Sequence, residues 1–266
     1  TPVSVDKLSP YVNRSVTFVT SGDDDEGDSG RDLKHGRPKR EFRLDMVHDP
    51  VGHCRPLRGV VHTPIVTADD ILVTGGYHEP TQLWVEWPYA PVDPLSLDLE
   101  RDVKPVLSRL LDFPWRSKFD KLHALGLYLL PFLRPSVRGA TVMHVITADR
   151  EGAGKTYLAE CVGALALGKM PPLRNQDKWD SEAVRQLQSA ILSSPSYLLL
   201  DNLPTGAVLG GPDLHRYLTA SGPVCIRPIG GARERVVDVR CVWVATLNEA
   251  DFDFEQARRT VSINLA

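Results

Sequence analysis

For residues 139–266 the sequence predicts an α/β domain built around a largely parallel sheet. Two observations predict it. Apolar runs such as "TVMHVITA", "SYLLLDN" and "CVWVATLN" alternate with amphipathic stretches, and runs that are apolar throughout belong to strands buried on both faces. A glycine-rich turn, "DREGAGKT", also separates the first of these runs from a helix-forming stretch.

The rest of the chain reads as a smaller β-rich module, residues 1–92, and a helical connector, residues 93–138. Within the module, "SVTFVT" is a short β-like run, and it is followed by a segment that is acidic first and basic second. Residues 21–41 hold almost no apolar side chains, so they cannot support a core and are expected to be a flexible charged loop. Its basic end, with Lys34, Arg37, Lys39, Arg40 and Arg43, reads as a solvated charge run rather than a phosphate contact. From Arg58, β-branched runs are broken by Asp-Asp, Gly-Gly and Pro, the punctuation of hairpins. In the connector, "VKPVLSRLLDFPW" and "KFDKLHALGLYLLPFLRP" read as two helices.

Composition limits the classes open to the chain. With 266 residues, 42% apolar and 24% charged content and a net charge of -3, it matches neither disordered nor membrane proteins. Any nucleic-acid contact is therefore a local patch. The longest apolar run, "LHALGLYLLPFL", is too short to span a bilayer and contains His123 and Pro131, so it reads as a buried helix. Cys54, Cys161, Cys225 and Cys241 form no C-x-x-C pair, against a zinc ribbon or disulfide framework and in keeping with a reducing, cytoplasmic setting. His48, His53 and Cys54 have no second ligand cluster and read as a loop. The start at Thr1, with neither a methionine nor a signal-peptide pattern, is expected of a piece of a longer protein.

The chemistry concentrates after Gly139. In Gly152, Ala153, Gly154, Lys155, Thr156 and Tyr157 the chain has a strand–turn–helix junction whose backbone N–H groups can converge on a phosphate. Lys155 neutralises the terminal phosphates and Thr156 offers a hydroxyl to magnesium. The usual motif opens on glycine where this chain has Asp149. "LLLD" places Asp201 at the end of a second apolar strand, where a magnesium-holding carboxylate belongs. Its neighbour is Asn202 rather than a glutamate, and an amide can hold water but cannot take its proton; Glu160 and Glu182 are candidate substitutes. A third strand ends on Asn248, suited to orienting water. Arg258 and Arg259 follow, placed to reach a nucleotide on a neighbouring subunit.

These pieces resemble the phage, plasmid and poxvirus-type primase-helicase ATPases, close to helicase superfamily 3 within the AAA+ P-loop class. The likeness runs from about Arg58 to the end through "RGVVHTPIV", "GGYHEPTQLW", "LLDFPW", "TADREGAGKTYLAE", "LLLDN", "LTASGPVCIRPIGG", "VATLN" and "QARRTVSINL". It implies an ATP- and Mg2+-dependent ring helicase, a hexameric homo-oligomer, acting on single-stranded DNA in replication of a mobile element, with a primase domain possible on the same longer chain and no membrane segment. The implied roles are phosphate and magnesium binding for Lys155 and Thr156, magnesium for Asp201, sensor for Asn248 and finger for Arg258 or Arg259. The pore hairpin of that family corresponds to "VCIRPIGGARERVVDVR", with Arg227, Arg233 and Arg235 meeting DNA phosphates. Two other readings stay open. One is a nucleotide-binding assembly module with little hydrolysis, because of Asn202; the other is a monomeric P-loop kinase.

Overall fold

A computed structural model describes residues 18–21, 33–36, 55–67, 72–87, 96–110, 112–173, 180–203, 208–228, 234–248, 251–252 and 254–266. The chain divides into the units Thr1–Pro56 and Leu57–Ala266. In the first, β1 (Phe18–Ser21) pairs antiparallel with β2 (Leu33–Gly36), setting Phe18 opposite Gly36 and Ser21 opposite Leu33. Part of the segment read as a charged loop therefore forms a strand. Arg37, Lys39, Arg40, Arg43, His48, His53 and Cys54 lie outside the described residues.

The second unit opens with β3 (Gly59–Val61), β4 (Ile65–Val66), β5 (Leu72–Val73), β6 (Gly76–His78) and β7 (Leu83–Val85). The pairs β4–β5 and β6–β7 are antiparallel, as the turn residues predict, but β3 runs parallel to β7. The intervening strands provide the long crossover that a parallel pair needs.

A π-helical turn, Leu99–Val103, leads into α1 (Lys104–Arg109), and Ser117 caps α2 (Lys118–Leu133) by accepting from the backbone N–H of Asp120. Asp120, Ala124, Leu127 and Pro131 are the buried positions of α2 and recur at helical spacing. Phe119, Leu122, Leu129 and Leu133 are exposed. The run read as a buried helix is thus buried on one face only. Asp120 Oδ1 accepts from the backbone and side-chain nitrogens of Asn264 at 2.7 and 2.8 Å, tying α2 to the C-terminal strand. Burial alone would raise the Asp120 carboxyl, but hydrogen bonds from Ser117 and Asn264 outweigh it and hold the group below its usual range.

The rest of the chain forms β8 (Met143–Ala148), α3 (Lys155–Leu167), α4 (Ser181–Ile191), β9 (Tyr197–Leu203), β10 (Val208–Leu209), α5 (Pro212–Thr219), β11 (Val224–Ile226), β12 (Arg235–Val237), β13 (Val242–Leu247), β14 (Asp251–Phe252), α6 (Phe254–Ala257) and β15 (Thr260–Leu265). Four of these strands make a sheet in the order β15-β8-β13-β9, and every neighbouring pair is parallel. The protein is α/β, with helices on both faces of this sheet. All six residues of β8 and of β13 are buried, which is why both strands read as mainly apolar runs, with His144, Thr147 and Thr246 as their buried polar residues.

On one face Met143, Val145, Leu198, Leu200 and Trp243 pack with Leu187 and Ile191 of α4 and Leu214 and Tyr217 of α5. On the other Ile146, Leu199, Val244 and Ile263 pack with Leu127 of α2 and Leu158, Ala159 and Val162 of α3. Helix α3 lies very close to the sheet at Gly163, where a Cβ would stand 2.8 Å from the Tyr197 ring and 2.5 Å from Pro171. Only glycine allows that approach. Strand β9 does not follow β8 directly in the sheet; β13 returns to fill the place between them. Such reversals of strand order leave a crevice at the carboxyl ends of the strands, where ligands of open α/β sheets bind.

Candidate functional site

Strand β8 ends beside β13, with Thr147 opposite Leu247, and the glycine-rich turn leaves from this carboxyl edge into α3. Gly152 and Gly154 have φ of 76° and 93°, the left-handed region that glycine enters without strain. Gly154 also lies against a ring, since a Cβ there would meet Phe113 at 3.4 Å. Asp149 needs no such freedom. Among the described residues the non-glycines at positive φ are Gln82, Ser194 and Asn202, so the first glycine of the usual motif can be replaced here without backbone strain. The Asp149 carboxylate pairs with Arg116 at 3.3 Å on the surface.

Lys155, at the first position of α3, is buried, and its Nζ donates to Asn248 Oδ1 at 2.7 Å. Thr156 Oγ1 donates to Asp201 Oδ1 at 2.9 Å, and Thr246 Oγ1 donates to the same oxygen at 2.7 Å. The residues singled out on three separate strand ends are thereby joined at one edge of the sheet. A cavity of about 440 Å³ opens there, lined by Gly152, Gly154, Lys155, Thr156, Asn202 and Asn248 together with Glu151 and Tyr157.

The β9–β13 pairing is irregular at this place. Ala245 lies opposite Leu200 and Leu247 opposite Leu203, so Thr246 alone faces the two residues Asp201 and Asn202. That is a β-bulge, and it coincides with the left-handed φ of 52° at Asn202. Asn202 N–H donates to Thr246 Oγ1 at 2.8 Å. Asp201 is buried, whereas Asn202 is exposed into the cavity edge.

Beside this cavity lies a larger cleft of about 870 Å³, which shares Gly154 and Tyr157 with it and is also lined by Phe113, Tyr128, Ala153 and Leu165. The Phe113 and Tyr157 rings stack with centroids 6.0 Å apart and 26° between their planes. The chain's last residue holds this wall, since Ala266 N–H donates to Pro114 O at 2.6 Å. Burial raises the Tyr128 hydroxyl above its ordinary pKa, with the nearby Cys161 adding to the effect. A third cavity, about 70 Å³, is lined by Arg58, Arg134, Asp238 and Arg240 with Ala166 and Ser196, at the amino edge of the sheet. It has room for a few waters and not for a nucleotide.

Other candidates stand apart. Glu160 and Glu182 do not line the 440 Å³ cavity, and Glu182 lies 3.5 Å from Arg185. Glu151 is the carboxylate present there, and the spacing of motifs did not single it out. Arg258 and Arg259 sit at the opposite edge of the sheet, where Arg259 O accepts from Met143 N–H at the start of β8. Arg259 Nη1 donates to Glu255 Oε2 at 2.5 Å, and Arg258 lies 5.7 Å from the centre of the exposed Phe254 ring. The length of β8 separates both arginines from the glycine-rich turn of their own chain. Strands β11 and β12 pair antiparallel, with Arg235 on β12 and the exposed Arg227 just after β11. Arg233 and the Gly230-Gly231 turn lie outside the described residues.

No family model matches the chain. No curated protein matches it either. Among solved structures it is similar to the A-form apo structure of the NrS-1 C-terminal region, with a TM-score of 0.39 and 12% identity, over 89% of this chain and 55% of that one. The chain thus spans about half the length of that structure, and a likeness of this degree assigns no family. Among the described residues no helix is long and apolar enough to cross a membrane.

Proposed function

We propose that the chain is an Mg2+-dependent ATPase motor that assembles as a ring, a hexamer, and moves on single-stranded DNA in replication of a phage, plasmid or other mobile element. The observation that carries this reading is the junction of Lys155 with Asn248 and of Thr156 with Asp201 at the carboxyl edge of a parallel sheet, facing one cavity. Glycines in the left-handed region followed by a helix N-terminus favour an anion at that point. One buried carboxylate beside one hydroxyl suits Mg2+, which keeps several of its waters and needs few protein ligands. The adjoining aromatic cleft has the size and apolar wall expected for a nucleobase. ATP is therefore the cofactor that fits both halves, with Lys155 on its terminal phosphates and Thr156 and Asp201 on magnesium.

In this reading Asn248 senses the terminal phosphate, Asn202 holds the attacking water, and Arg258 or Arg259 serves the site of the neighbouring subunit. The position of the arginines at the far edge of their own sheet supports a role across an interface rather than within one chain. Arg227, which follows β11, Arg235 on β12, and Arg233 between them in sequence supply the DNA contact. A cytoplasmic location and linkage to a primase domain belong to the same proposal.

ATP turnover with and without single-stranded DNA, beside Lys155→Ala, tests the reading; absence of turnover at every protein concentration overturns the motor. Asn202 favours a second reading, an assembly module that binds ATP without hydrolysing it, and binding without turnover is its signature. A monomeric kinase, the third, predicts turnover independent of concentration. Mixing Lys155→Ala with Arg259→Ala chains separates it from the motor, because only a site shared between chains can regain activity in the mixture.

A further inference from the structure

We propose that Thr246 is a positioning residue that holds the β9 bulge in place and so presents Asp201 and Asn202 together to the magnesium-nucleotide site; the inference rests on the ATPase reading of that site. In a regular strand, successive side chains point to opposite faces, and residues 201 and 202 could not both serve one cavity. The bulge opposite Thr246 changes this, since Asp201 meets Thr156 while Asn202 reaches the cavity edge. A bulge leaves its extra residue without a ladder partner. Here the Thr246 hydroxyl supplies the missing acceptor for Asn202 N–H at 2.8 Å.

The same hydroxyl has a single proton, and that proton goes to Asp201 Oδ1 at 2.7 Å. Thr246 is buried at 1% exposure, so no solvent water replaces either bond. With Thr156 on the same oxygen, Asp201 Oδ1 is doubly engaged and the rotation of the carboxylate is set, so that Asp201 would hold the metal or one of its waters in a fixed orientation. Side chains that orient a metal-binding carboxylate affect metal affinity by about 10- to 100-fold. Thr246 thus joins the magnesium residue to the water-holding residue, and one strand position governs both.

The test uses the full chain with Mg2+ and a fluorescent adenine nucleotide. Thr246→Val keeps the shape and removes the hydroxyl. It is expected to raise the Mg2+ concentration at which Mg2+ half-maximally enhances binding of that nucleotide by about 10-fold or more, with nucleotide affinity measured without Mg2+ unchanged within about 2-fold. Thr246→Ser, which keeps the hydroxyl, is expected to restore the wild-type Mg2+ dependence. Should Thr246→Val fail to fold, Thr246→Ala replaces it, being smaller than threonine. Unchanged Mg2+ dependence in the hydroxyl-free variant, or a serine variant as impaired as it, overturns the inference while leaving the ATPase reading intact. Wild-type protein that binds no nucleotide overturns both.

Discussion

The Lys155 ammonium donates to Asn248 Oδ1 at 2.7 Å, so the helix that follows β8 and the end of β13 share one charge-assisted bond across the cavity. Such bonds are stronger than neutral ones. On the proposed ATPase reading, the same two groups would face the terminal phosphate of the nucleotide.

The two residues are therefore expected to fail differently. Lys155→Ala removes the neutralising charge and should abolish nucleotide binding at micromolar concentrations. Asn248→Ala should leave affinity within a few-fold of wild type and lower kcat by about 100-fold, the scale of losing one oriented polar group at a reacting centre. Binding titrations beside steady-state turnover check both, and equal effects on binding would contradict the sensor role.

Asn202 occupies a left-handed backbone conformation, φ 52°, which asparagine tolerates better than residues with longer side chains. This gives a backbone reason for the absence of glutamate beside Asp201. Asn202→Glu is expected to lose about 1 kcal/mol of stability, whereas Asn202→Gly should stay within a few tenths of a kcal/mol of wild type. Urea unfolding midpoints decide it; a glutamate variant as stable as wild type would show that the bulge relaxes.

The stacked Phe113 and Tyr157 rings adjoin the glycine-rich turn. Phe113→Ala should weaken an adenine nucleotide by about 10-fold, the scale of one aromatic stacking contact with its buried area, yet leave inorganic tripolyphosphate unaffected. Competition between the two ligands makes the comparison. Equal loss for both would place Phe113 in support of the loop instead of the base.

His144 lies within β8 among apolar side chains, and its Nδ1 has no hydrogen-bond partner. Burial, with a smaller contribution from the charge of nearby His123, lowers its pKa from 6.5 to about 4. The folded chain keeps this ring neutral where the unfolded chain takes up a proton, so its effect on stability is absent above pH 6.5 and becomes destabilising as pH falls. The loss grows until the pH reaches about 4 and levels off below that, at most about 3 kcal/mol. Asp120 titrates below this window. Denaturation followed between pH 7 and pH 4 should show a shallower pH dependence for His144→Leu than for wild type.

The sequence alone determined which strands are the most deeply buried and where the glycine-rich turn lies. β8 and β13 are buried throughout and β9 everywhere but Asn202, so their mainly apolar runs are visible, and the turn lies on contiguous residues with glycines at its two positive-φ positions. Tertiary structure decided the rest. Thr246 is an ordinary strand residue in "VATLN" until β9 slips by one residue against it, and a slip is a property of the pairing. Phe113 reaches Gly154 only because the C-terminal strand and Ala266 hold its segment in place. Arg258 and Arg259 follow Asn248 closely in sequence, yet β15 begins at the opposite edge of a parallel sheet from the one where β13 ends. Parallel strands connect only by crossing the whole sheet, so short sequence separation could not reveal which edge those arginines occupy.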